Sequence, residues 1–109
     1  MMQLSATPTL ADFQKYVADM KAERGFNTTD AVYECLLLGE EVGELFKAVR
    51  KNRKGSHIET GSTAGDIEEE LADIFIFLCG IANISGIDLE TAFRNKEEVN
   101  KQRQWQKVS

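Results

Sequence analysis

Glu41 and Glu44 lie three residues apart in LLLGEEVGELFKAVRK, and Glu70 and Asp73 repeat that spacing in EEELADIFIF. Residues three or four apart share a helical face, so each segment projects two carboxylates side by side. Both pairs are set among apolar neighbours: Leu37, Leu38 and Leu45 flank Glu41, while Ile74, Ile76 and Phe77 lie within a turn of Glu70 and Asp73. Carboxylates drawn out of water without partners take up protons rather than stay charged, and two facing pairs aggravate this. A divalent cation removes the conflict. Ligand oxygens alone favour a hard ion, Mg²⁺ with Mn²⁺ as its substitute, and Mg²⁺ keeps several waters while it meets substrate phosphates. Zinc is disfavoured because no His or Cys stands near. A ferritin-like di-iron centre needs Glu-x-x-His on two helices, and the only histidine, His57, falls in a polar loop where solvation is its expected state.

A second set of polar side chains follows near the end of the chain. Leu89, Ala92 and Phe93 begin an apolar stripe that continues on about the same face as Lys96, Asn100 and Arg103. Where that face borders the acids, Lys96 and Arg103 can meet phosphate oxygens and Asn100 can hydrogen-bond a sugar or base. Emergence of the helix into solvent explains the same change of character. Lys47, Arg50, Lys51, Arg53 and Lys54 crowd the end of the helix that carries Glu41 and Glu44, where the negative end of the helix dipole accounts for them. Gly39 and Gly43 each cost up to about 1 kcal/mol inside a helix, which predicts close approach by another helix or by a ligand.

The elements that must position these residues are helical throughout. Leu10, Phe13, Val17 and Met20 recur at helical steps, with Pro8 in a first turn after Thr7 and stop signals at Gly25 and Asn27. Asp30 caps a second helix that runs to about Asn52, and the polar stretch RKGSHIETGST follows it. Thr63 with Asp66 resembles a capping box and starts the third helix. There Ile67, Leu71, Ile74, Leu78 and Ile81 form a stripe that Phe75, Cys79 and Ala82 widen, so this is expected to be the most buried helix. Gly86 ends it and Asp88 caps the fourth. The fold expected is all-α, four helices in one domain over residues 1–109.

Composition narrows the function. A net charge of -5 and an isoelectric point near 4.9 argue against a protein that grips a nucleic-acid backbone. Cys35 and Cys79 form no close pair, which predicts buried free thiols in a reducing cytoplasm. The opening MMQLSATPTL lacks a basic end followed by an apolar block, so no secretory signal is expected. The apolar run from Leu71 to Ile84 is shorter than the about 20 residues that span a bilayer and contains Asp73 and Asn83, so no membrane partner is expected.

With these residues assembled, the sequence resembles the MazG-type nucleoside triphosphate pyrophosphohydrolases, an all-α superfamily with the signature EExxE, a spacer and ExxD. Here the signature reads Glu40-Glu41-Val42-Gly43-Glu44 and Glu70-Leu71-Ala72-Asp73, and the likeness extends from ERGF at Glu23 through NKEEVNKQRQW to Trp105. The resemblance implies Glu41, Glu44, Glu70 and Asp73 as Mg²⁺ ligands and Lys96, Asn100 and Arg103 as nucleotide contacts. It also implies that Phe26 packs on the base, in a place where the family more often has Trp. Glu40 would orient or deprotonate the water that attacks the α-phosphorus of a nucleoside triphosphate. It further implies an obligate oligomer, a homodimer or a dimer of dimers whose helices complete one bundle. Two other readings compete: a helical interaction module whose acids pair with another chain, and a relative that cleaves a phosphoribosyl nucleotide.

Overall fold

The computed structural model describes residues 3–27, 30–63 and 65–109. Four helices follow one another: α1 (Leu10–Arg24), α2 (Ala31–Asn52), α3 (Ile67–Ile84) and α4 (Leu89–Lys101), with no strand among the described residues. The expected all-α class therefore holds.

Capping chemistry sets most of the ends. Thr9 Oγ1 accepts from the Asp12 amide at 3.1 Å while the Asp12 carboxylate accepts from the Thr9 amide at 2.9 Å. This reciprocal pair starts α1 two residues later than an initiation at Thr7 would, and leaves Pro8 ahead of the helix rather than in its first turn. Gly25, at φ 75°, closes α1 in the left-handed conformation that a side chain resists. Asp30 and Asp88 cap α2 and α4 as expected. The start of α3 differs from expectation: Asp66 is itself the cap, its Oδ1 accepting from the amides of Glu68 and Glu69, and Thr63 lies outside the helix. A carboxylate directly ahead of three glutamates also meets the positive helix end better than a hydroxyl three residues earlier.

Helices α2 and α3 run antiparallel and make the main contact of the chain, α1 packs across α3, and α4 packs on α1. Val17, Met20 and Cys79 form the buried centre, bordered by Phe13, Tyr16, Phe75, Ile76 and Leu89. Phe13 and Phe75 meet edge to face at 5.3 Å. Gln14 ties the helices together at one end. Its side-chain amide donates to Asn83 Oδ1 and the Ile87 carbonyl at 3.1 and 2.8 Å, and its oxygen accepts from the Leu89 amide at 2.8 Å. That anchor sits at the bend of 96° between α3 and α4.

Much of the apolar periodicity is not used inside the chain. Phe46 is 70% exposed, Phe93 69%, Leu36 64% and Leu71 52%, so the α3 stripe divides: Cys79 and Ala82 are buried while Leu71 and Leu78 face outward. Cys35 is exposed, contrary to the expectation of two buried thiols, because it lies on the side of α2 turned from α3. Gly39 and Gly43 have open space where a Cβ would stand, so close packing within the chain does not explain them. The surface area of 8704 Å² compares with about 6,100 Å² for a compact monomer of this mass. Likewise, the Cα radius of gyration of 17.5 Å exceeds the about 13 Å of a compact domain. Among the described residues no single helix is long and apolar enough to cross a membrane.

Candidate active site

The antiparallel α2–α3 pair brings the two acidic motifs face to face. Glu41, Glu70 and Asp73 each offer an oxygen within 4.8 Å of the others. Glu41 and Glu70 are half-buried and Asp73 is exposed. Burial pushes the Glu41 carboxyl above its ordinary range, and a hydrogen bond with Glu70 and the charges of Asp73, Glu70 and Glu44 push it further. Glu44 is thus close enough to act on Glu41 while lying outside the tight group of three. None of the ion pairs formed among the described residues includes any of these four acids. Glu70 Oε2 is buried and lacks a hydrogen-bond partner.

A buried carboxylate oxygen without a donor is costly unless something positive occupies the space before it. Three converging carboxylates that form no ion pair among the described residues fit a divalent, oxygen-seeking cation, with Glu41, Glu70 and Asp73 as its ligands and Glu44 beside them. The donor set contains no nitrogen or sulfur.

One end of this group opens on an apolar cavity of about 400 Å³ lined by Met20, Phe26, Tyr33, Leu37, Ile76 and Phe77, with Asp73 in its wall. Phe26, singled out in the sequence, therefore stands in a cavity that shares a wall with the acids. Lys21, Arg24 and Glu34 complete the lining. Lys21 Nζ pairs with Glu34 Oε1, both side chains nearly buried, and Gly80 leaves the room they need: a Cβ there would stand 3.3 Å from Lys21 Nζ. One sign of this wall is legible from spacing, since Glu34 precedes Glu41 by two helical turns on the same face of an apolar helix. Nothing local links Lys21 to it, and Tyr33 and Phe77 carry no chemistry that periodicity would single out.

The remaining candidates are placed apart. Glu40 is exposed on α2 next to Glu41 and outside the group of three. Lys96 is exposed and Asn100 half-buried on α4, Arg103 is exposed beyond its end, and none of them lines the cavities that Asp73 or Glu44 border. Because α4 packs on α1, one chain does not bring this trio to the acids. His57 is exposed, and its carbonyl accepts from Arg50.

The fold and the acidic group define an all-α carboxylate-site protein, and sequence comparison gives the family. Residues 27–105 match the MazG nucleotide pyrophosphohydrolase domain, and the chain belongs to that family of hydrolases. It is 30% identical over 103 residues to a protein of Salmonella phage PMBT28 named dATP/dGTP diphosphohydrolase, covering 94% of this chain and 30% of that one. It is 30% identical over 105 residues to mouse dCTP pyrophosphatase 1, covering 93% of this chain and 62% of that protein. The chain thus spans less than two thirds of either relative. The crystal structure of iMazG from Vibrio DAT 722 superposes with a TM-score of 0.61 at 29% identity, covering 85% of this chain and 98% of that one.

Proposed function

We propose that the protein hydrolyses nucleoside or deoxynucleoside triphosphates to the monophosphate and pyrophosphate with Mg²⁺. The observation that carries this reading is the convergence of Glu41, Glu70 and Asp73, with Glu70 Oε2 unsatisfied, at the edge of an aromatic cavity of about 400 Å³. Such a cavity suits a flat, largely apolar base, and the acids beside it suit a cation that accompanies phosphates. Relatives named for the hydrolysis of dATP, dGTP and dCTP support the same class of substrate.

In this reading Glu41, Glu44, Glu70 and Asp73 hold Mg²⁺, which supplies charge neutralisation at the phosphates and a lowered pKa for a bound water. Phe26 packs on the base. Glu40, beside the ligands and in water, orients or deprotonates the attacking water. The water oxygen bonds to the α-phosphorus while the bond from that phosphorus to the α,β-bridging oxygen breaks. Its electron pair leaves on pyrophosphate, and the proton released by the water passes to a carboxylate and then to solvent.

The working form is a homo-oligomer, a dimer or a dimer of dimers. The apolar surface left open on α2, α3 and α4 and the excess surface area support this. A second copy would bring Lys96 and Asn100 of its own α4, and Arg103 just beyond it, to the phosphates. The protein would act in the cytoplasm to remove abnormal or surplus nucleotides. The test is pyrophosphate release from a panel of ribo- and deoxyribonucleoside triphosphates with Mg²⁺, with EDTA and Glu41→Gln as controls. Release that needs both the metal and Glu41 is expected; no release from any triphosphate by folded protein would overturn the proposal.

A further inference from the structure

A second cavity of about 400 Å³ lies on the other side of the acidic group from the aromatic one, lined by Glu44, Lys47, Ala48, Lys51, Gly61, Ser62, Thr63 and Gly65. We infer that this cavity is a pyrophosphate subsite, in which Lys47, Lys51 and the Ser62 hydroxyl receive the diphosphate that leaves the nucleotide. The inference rests on the proposed triphosphate hydrolysis for its assignment to a leaving group, but its chemistry is that of a diphosphate-binding site in its own right.

The geometry follows from one face of α2. Glu41, Glu44, Lys47 or Ala48, and Lys51 succeed one another at three- and four-residue steps, so they line a single stripe in which acids give way to ammonium groups. At 1.5 Å per residue, Lys47 stands about 9 Å along the helix from Glu41 and Lys51 about 15 Å. The aromatic cavity lies the opposite way, toward Tyr33 and Leu37. The order along the helix pair is therefore aromatic cavity, acids, basic cavity. A nucleotide laid along it places the base first, the α-phosphate at the acids and the remaining two phosphates among the lysines.

The loop that forms the far wall is held in place by three consecutive residues at the end of α2. Arg50 Nη1 donates to the His57 carbonyl at 3.1 Å. Lys51 Nζ donates to Ser62 Oγ at 2.6 Å and to the Thr63 carbonyl at 3.3 Å. Asn52 Nδ2 donates to the carbonyls of Ala48 and Gly65 at 2.7 and 2.8 Å. Gly65 lies so near α2 that a Cβ there would come within 3.0 Å of Ala48 Cβ. An ammonium has three donors, so Lys51 retains one after these two bonds. Two ammonium groups outnumber the single carboxylate of Glu44 in the cavity. A dipole at the end of α2 accounts for cations somewhere in this turn, but not for two lysines lining one cavity with a clamped hydroxyl.

The test is calorimetric titration of inorganic pyrophosphate into the full chain in saturating Mg²⁺, with a nucleoside monophosphate titrated in parallel. Lys47→Gln is the main variant, because Lys47 is exposed and holds no part of the loop. Lys51→Gln is read beside Lys51→Arg, which keeps the charge. Lys47→Gln should weaken pyrophosphate binding about tenfold, the factor that one charge-assisted hydrogen bond carries, while the monophosphate binds as before, and Lys51→Arg should retain more affinity than Lys51→Gln. Pyrophosphate binding by the wild type that neither lysine changes, or no binding by a chain that hydrolyses triphosphates, would overturn the subsite. Lysine-dependent binding by a chain that hydrolyses no triphosphate would sustain the subsite and remove the leaving-group role.

Discussion

Replacing Glu41 by Gln should make the protein more stable without metal and less stable with it. The oxygens of Glu41, Glu70 and Asp73 lie within 4.8 Å of one another, where two unit charges repel by about 0.9 kcal/mol in a water-like medium and about 3.5 kcal/mol at an effective dielectric of 20. Asp73 is exposed, so the screened figure applies and removing one charge relieves two such repulsions, about 2 kcal/mol in all. For a domain of this size that raises the melting temperature by roughly 8 °C. At a Mg²⁺ concentration a hundred times its Kd, the wild type gains about 2.7 kcal/mol through mass action, and the variant, lacking a ligand, gains far less. Thermal denaturation of both proteins at pH 8, once in EDTA and once in Mg²⁺, should therefore show the two curves exchanging order. A Gln variant that melts at or below the wild type in EDTA would refute the account of crowded acids. A variant that gains as much from Mg²⁺ as the wild type would refute the ligand assignment.

Three further outcomes are expected. The raised Glu41 pKa means that the folded chain holds a proton more tightly than the unfolded one, so without metal stability is full below the ordinary carboxylate range and falls as pH rises through Glu41's raised value. Mg²⁺ must displace that proton, and its binding enthalpy should vary with the ionisation enthalpy of the buffer near that pH and cease to vary well above it. Gln14→Ala should cost about 2–4 kcal/mol, measured by urea unfolding, because the Ile87 carbonyl and Leu89 amide lose their partner in a part-buried setting. Phe46→Glu should shift the protein toward single chains in sedimentation velocity, since Phe46 is 70% exposed in one chain and lies on the face proposed to meet a second.

The helices and the acidic group were legible in the sequence because both depend on short-range spacing. Asp30, Asp88, Gly25 and Gly86 act where their types predict, and ExxE with ExxD needs only two helices in contact to converge. The ends that were misplaced each offered two capping residues. Thr9 wins over Thr7 through its exchange of bonds with Asp12, and Asp66 over Thr63 because a carboxylate reaches two amides at once. Periodicity marks Leu71 and Leu78 as apolar but carries no information on whether the covering surface belongs to the same chain. The basic cavity was illegible for another reason. Lys47 and Lys51 have a sufficient explanation in the helix dipole until the folding back of Ser62 and Thr63 onto α2 is seen.

The surface area of 8704 Å² has a consequence for how the protein exists in a cell. In the homo-oligomer proposed above, a chain that leaves about 2,600 Å² more exposed than its mass requires would have its native state tied to how many copies are present, since the contacts covering that surface would be intermolecular. Its unfolding midpoint should then climb with protein concentration. Scarcity alone, with no mutation and no change of temperature, would expose the lone chain to proteolysis, so that the amount of active protein falls more steeply than the rate of synthesis.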